Sequence, residues 1–251
     1  MLNLLSYKNI GHGDPLVIVH GYLGGQKMWK SQECLSKNFN LIIPSLAGYG
    51  ESANLSARSS IKKNAKDIFN LVEKLKIKKF NLLGHSMGGM IVQEMTFMRP
   101  DKINKLICFG TGSIGKMPNR FETIDESKKK ISQFGISKVG KEIAKTWFVD
   151  FKKNTGYKLC MTELNKTSTK SSLTSINAWA NWNGRKRLKN IKCPTLIIWG
   201  EKDLSYDWKQ QQILLKEIKN SKIKIIKKCA HNAHMERPKT FNSAIREFLN
   251  K

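Results

Sequence analysis

The stretch "FNLLGHSMGGMIVQEM" (residues 80–95) joins an apolar, strand-like run to an apolar, helix-like one through one serine, Ser86, with Gly84 and Gly88 two residues to either side. A strand that turns straight into a helix holds the turn residue at a strained, positive φ, and side chains at the flanking positions collide there. The two glycines meet that demand. Such a turn belongs to sheets whose parallel strands present their C-terminal edges to ligands.

The rest of the chain keeps the same rhythm. Six short apolar runs read as buried strands: 15–21, 39–45, 80–86, 105–112, 194–200 and 222–227. Helical patterns lie between them over 61–75, 87–98, 207–219 and 238–249, the last opened by Pro238. In "SKIKIIKK" the alternation of Lys222 and Lys224 with Ile223 and Ile225 predicts a strand that wets one face and buries the other. Residues 113–190 break the rhythm with three or four helical patterns and no convincing strand. The expectation is an α/β fold with a mostly parallel central sheet and helices on both faces. Residues 1–112 and 191–251 form its core, and 113–190 an inserted helical cap.

Composition narrows the setting. The 251 residues suffice for one large core. The N-terminus lacks a basic start leading into an apolar stretch, and no run reaches the roughly 18 apolar residues of a spanning helix. Five scattered cysteines match neither a disulfide framework nor metal-ligand spacing, so a reducing, cytoplasmic protein without metal or organic cofactor is expected. The net charge of +26 raises the question of nucleic acid. Only seven of the 45 basic residues are arginine, and the lysines are spread along the chain rather than gathered. Phosphate and base-edge recognition favours the guanidinium fork, so the charge reads as a solvated surface and no nucleic-acid partner is expected.

The G-x-S-x-G turn makes Ser86 a candidate nucleophile, with the Met87 amide at a helix N-terminus facing any developing oxyanion. A serine needs a base, and the base an orienting acid. Of five histidines, His12 lies in a glycine-flanked turn, His20 braces a loop, and His85 points away from Ser86. His231 and His234 follow the last strand; His231, nearer the strand end, is taken as the base. "GTGSIGKMPNRF" after one candidate strand holds no carboxylate, whereas "GEKDLSYD" offers Glu201, Asp203 and Asp207. Asp203 is taken as the acid and Asp207 as a helix cap. "HGYLGG" lets backbone amides approach a bound carbonyl, which makes the Tyr22 N–H the second oxyanion donor. In the cap, Trp147 and Trp179 are candidate pocket walls, and Arg120 a candidate ligand for a substrate carboxylate.

The order Ser86, Asp203, His231 with "HGYLGG" upstream resembles the α/β-hydrolase superfamily, and the resemblance runs through "IIPSLAGYGES", "PTLIIWGEKD" and "AHNAHMERPKTFN". It is most similar to the capped branch of 3-oxoadipate enol-lactone hydrolases, carboxylesterases, perhydrolase-type enzymes and carbon-carbon bond hydrolases. Ser45 stands where that family commonly has Asp, and Ala230 where Gly is usual. The resemblance implies hydrolysis of a small to medium ester or lactone by a monomer or homodimer. Carbon-carbon bond hydrolysis, perhydrolase chemistry and a non-catalytic receptor on the same fold stay open.

Overall fold

A computed structural model describes residues 4–117 and 122–250. Seven strands form one sheet: β1 (Tyr7–Ile10), β2 (Asp14–Val19), β3 (Phe39–Pro44), β4 (Phe80–His85), β5 (Ile103–Phe109), β6 (Thr195–Gly200) and β7 (Ser221–Ile226). Their spatial order is β1-β3-β2-β4-β5-β6-β7, with β1 antiparallel to β3 and every other pair parallel. The central strands are apolar throughout because both faces are covered. In β2, Val17 and Val19 enter one hydrophobic cluster with Ile68, Leu82, Ile91 and Leu106, while Leu16 and Ile18 enter a second with Trp29, Leu83, Ile107 and Phe241.

The first cluster is covered by α1 (Ile61–Lys74), α2 (Met87–Met98) and α7 (Trp208–Glu217), the second by a 3-10 segment, Gln26–Lys37, and by α9 (Pro238–Leu249). Helix α1 starts where Ser60 Oγ accepts the Lys63 amide at 3.2 Å, and it buries the stripe Ile61, Ala65, Ile68, Leu71 and Val72. From β2 the chain steps outward to β3, then returns to place β4 on the other side of β2. The C-terminal ends of β2 and β4 therefore flank the point where strand order reverses, which is where sheets of this class form a crevice.

Between β5 and β6 the described residues form four α-helices, α3 (Ile124–Phe134), α4 (Ile136–Lys145), α5 (Thr155–Leu164) and α6 (Thr169–Ala180), and a 3-10 segment, Arg185–Asn190. The chain leaves and rejoins the sheet through a narrow neck. Gly115 N–H donates to Trp182 O at 3.0 Å and Gly184 N–H to Ser113 O at 2.9 Å, around an antiparallel bridge between Ile114 and Asn183. Glu94 of α2 holds the returning arm: its carboxylate accepts Trp182 Nε1 at 2.9 Å and both terminal nitrogens of Arg187. Burial pushes the Glu94 carboxyl up, but these hydrogen bonds outweigh it and leave it below the usual range.

Two elements carry no apolar run long enough to announce them. Strand β1 is four residues at the sheet edge, and the 26–37 segment is 3-10 rather than α-helical. The alternation expected in β7 fails at its end. Ile225 is 40% exposed, whereas Ile226, on the face of Lys222 and Lys224, is buried. Packing from outside the strand decides this: α9 and the 226–229 turn close over Ile226, and Lys222 lays its stem across Phe248 of α9. Among the described residues no helix is long and apolar enough to cross a membrane.

Candidate active site

Strand β4 is buried along its whole length and ends at Ser86, whose φ of 55° and ψ of −120° lie outside the regions that L residues favour. Neighbours on three sides fix this backbone. Ser86 N–H donates to Phe109 O at 3.0 Å, while Ser86 O accepts Thr111 Oγ1 at 2.8 Å and the Gly89 amide at 2.9 Å. A Cβ at Gly84 would run into Gly88 O and Val92, and one at Gly88 into the Val19 and His20 carbonyls. The collisions that require glycine are thus with backbone and with α2, not between the two flanking side chains. Helix α2 begins at Met87, so the first amides after Ser86 have no carbonyl one turn back within the helix.

The loop after β2 presses against this turn. A Cβ at Gly21 would lie 2.8 Å from Ser86 Cβ, which brings the Gly21–Tyr22 backbone to the serine. His20 anchors that loop. Its Nε2 accepts the Leu46 amide at 2.9 Å, so Nδ1 carries the proton and donates to Gly21 O at 2.8 Å. Burial pushes the His20 imidazole down to about 4.

Asp203 lies in the turn after β6. Its Oδ1 accepts the amides of Ser205 at 2.7 Å and Tyr206 at 3.2 Å, which aims Oδ2 at His231 Nδ1, 2.9 Å away. Both side chains are buried. A carboxylate only accepts, so it holds the imidazole proton on Nδ1 and leaves Nε2 with its lone pair. The Tyr206 ring stacks on His231 at 5.8 Å, and His85 lies 4.4 Å from it. Gly110, at φ +50°, gives this pair room, since a Cβ there would lie 3.2 Å from His231 Nδ1. His85 accepts no role at Ser86: its Nε2 is 3.1 Å from His231 O, its ring stacks on Phe109, and burial followed by the nearby His231 and His234 holds it well below the usual imidazole range. His234 packs among Trp29, Phe109 and Phe241, where burial pushes it down to about 3. Asp207 accepts the Gln210 amide at 3.0 Å as the N-cap of α7.

One cavity of about 60 Å³ collects Ser86, His231, Tyr22, Met87, Trp147 and Trp179, and Asp203 stands behind His231. Met117, Ile143, Ser205 and Tyr206 complete its wall. Of these four, sequence reasoning placed only Ile143, on one helical stripe with Trp147 and Phe151; for Ser205 and Tyr206 the signal was available, because the tight turn that fixes Asp203 necessarily brings the next residues to the same place. Arg120 lies outside the described residues. Among the described residues no group of three or more His, Cys, Asp or Glu side chains is placed to hold a metal ion.

Residues 14–134 and 150–238 match the profile of the alpha/beta hydrolase fold family. The chain belongs to that family. A 2-hydroxy-6-oxononadienedioate/2-hydroxy-6-oxononatrienedioate hydrolase of Pseudomonas putida is 26% identical, over 98% of this α/β hydrolase and 91% of the relative. An enol-lactonase from Burkholderia xenovorans LB400 superposes with a TM-score of 0.91 at 21% identity, covering 98% of this chain and 96% of that one. A thermophilic esterase from Thermogutta terrifontis gives 0.89 at 24% identity, covering 98% and 93%. At these identities the two structures speak to the fold of the hydrolase, and the site carries the argument about its chemistry.

Proposed function

We propose that this protein is a serine hydrolase that cleaves a small to medium carboxylic ester or lactone through an acyl-enzyme on Ser86. The observation that carries the reading is the Asp203–His231 hydrogen bond, made at Nδ1, beside a cavity that both His231 and Ser86 line. Nε2 of His231 takes the Ser86 proton as Oγ bonds to the carbonyl carbon, and Asp203 stabilises the imidazolium. The amides of Tyr22 and Met87 receive the negative charge on the carbonyl oxygen. Collapse of this intermediate breaks the bond to the alkoxy oxygen, which leaves with the proton from His231. Water then attacks the acyl-enzyme, giving its proton to Nε2, and the acid departs as the proton returns to Ser86 Oγ.

Residues 113–190 are the cap in this reading, and Trp147 and Trp179 its contribution to the acyl pocket. Arg120 is the sequence's candidate for a substrate carboxylate. Similarity to the 2-hydroxy-6-oxononadienedioate/2-hydroxy-6-oxononatrienedioate hydrolase of Pseudomonas putida favours a second reading, carbon-carbon bond hydrolysis by the same residues. A fluorophosphonate probe tests the nucleophile: it should label the wild type and leave Ser86→Ala unlabelled, and equal labelling of both sinks the assignment. A panel of esters, lactones and dienones tests the bond cleaved, with turnover confined to dienones deciding for the second reading.

A further inference from the structure

Glu236 closes α8 (Ala233–Glu236), the single turn that follows His231, and its carboxylate spans two elements far apart in the chain. Oε2 accepts the N–H of Ala230, the residue before His231, at 2.6 Å. Oε1 accepts the N–H of Val149 at 2.9 Å, two residues beyond Trp147 in the inserted segment. A second tie runs parallel: Asn232 N–H donates to Trp147 O at 2.9 Å. The two groups so connected both line the cavity, and the Trp147 and His231 rings lie 6.3 Å apart.

Resting on the function proposed above, we propose that Glu236 is a positioning residue that locks the His231 loop to the inserted helices, so that the Trp147 wall and the base keep one relative placement. The side-chain chemistry is specific. Both partners are backbone donors, and a carboxylate offers an acceptor to each; glutamine offers one acceptor and one amide donor, so one tie must break. Aspartate is a methylene short of spanning both. Val149 is 59% exposed, so the far end of the strut is open to alteration without disturbing the core.

The test compares wild type, Glu236→Gln, Val149→Pro, which deletes the donor at the far end, and the double variant. Readouts are kcat and KM on a short-chain ester, the rate of Ser86 labelling by a fluorophosphonate, and Tm. In Glu236→Gln, kcat and the labelling rate should both fall about 10- to 100-fold, the scale of a misplacement of about 1 Å at reacting groups. KM should change much less, a split that a merely destabilised fold does not produce. Val149→Pro should act in the same direction, and the double variant should lose no more than Glu236→Gln alone. An unchanged kcat and labelling rate with only a lowered Tm overturns the proposal, as does Val149→Pro with wild-type kcat; the latter decides the matter if Glu236→Gln does not fold. A wild type that the probe leaves unlabelled overturns the serine-hydrolase reading itself, whereas labelled wild type with equally labelled Glu236→Gln overturns only the strut.

Discussion

His231 Nδ1 lies 2.9 Å from Asp203 Oδ2, and the other oxygen of that carboxylate is already committed to two backbone amides. Asparagine at 203 presents either its oxygen or its NH₂ to the imidazole, and the second choice forces the proton onto Nε2. Asp203→Asn should therefore lower kcat by about 10⁴, as loss of the orienting acid does elsewhere. Asp207→Asn, at a helix cap, should leave kcat near wild type and change stability by less than about 1 kcal/mol. Steady-state rates and urea midpoints of the two variants separate the roles, and the reverse ranking identifies Asp207 as the acid.

Trp147 and Trp179 bound a cavity of about 60 Å³, well under the roughly 300 Å³ at the low end for drug-sized ligands. Acetyl and butyryl esters or small lactones should be turned over better than esters with chains beyond about twelve carbons. Trp147→Ala should broaden chain-length preference or raise KM. A wild-type optimum among long chains refutes the enclosed cavity.

Three buried histidines, His20, His85 and His234, weaken the fold as pH falls, and burial holds His85 well below the usual imidazole range. His20 is held at about 4 and His234 at about 3, while each titrates near 6.5 when unfolded. Between these values the unfolded chain binds more protons than the folded one. Their contribution is complete above about 6.5 and is lost as pH falls through the window toward 4 and then 3. Tm should drop steadily from pH 7 to pH 4, and His234→Phe should flatten that slope; a parallel slope in the variant counts against His234 as a source.

Glu94 serves the neck rather than the reaction. Glu94→Ala leaves the Trp182 N–H and the Arg187 guanidinium without their partner, at a cost of about 2 kcal/mol after allowing for the partial exposure of Arg187. Denaturant unfolding should register that loss while the fluorophosphonate still labels Ser86. Loss of labelling in a folded variant means that the neck reaches the nucleophile.

Sequence periodicity revealed what it physically encodes. The central strands are apolar because two faces are covered, and the G-x-S-x-G turn is legible because backbone collisions at Gly84 and Gly88 leave no other residue type. Strand β1 escaped because an edge strand of four residues needs no apolar run, and 26–37 because a 3-10 path has no 3.6-residue stripe. Ile225 misled for a related reason: alternation specifies two faces but not which one a neighbouring helix will cover. Glu94 and Glu236 were invisible as bridging positions. Each has a hydrogen-bond partner some 90 residues away, and a lone glutamate in a helical stretch looks the same whether solvated or bridging.

The neck at residues 113–115 and 182–184 has a consequence for how this scaffold diversifies. Its two arms are hydrogen-bonded to each other, so the ends of everything between them are already closed. An insertion attached this way is a cassette. On the function proposed above, a segment of other length or helix count grafted between the same arms should leave β5 in register with β6 and bring its own pocket wall with it. Beyond the neck the newcomer must also meet the recipient, with backbone partners for Asn232 and Glu236 and an apolar face for the cluster that Leu164 and Trp179 now share with the sheet.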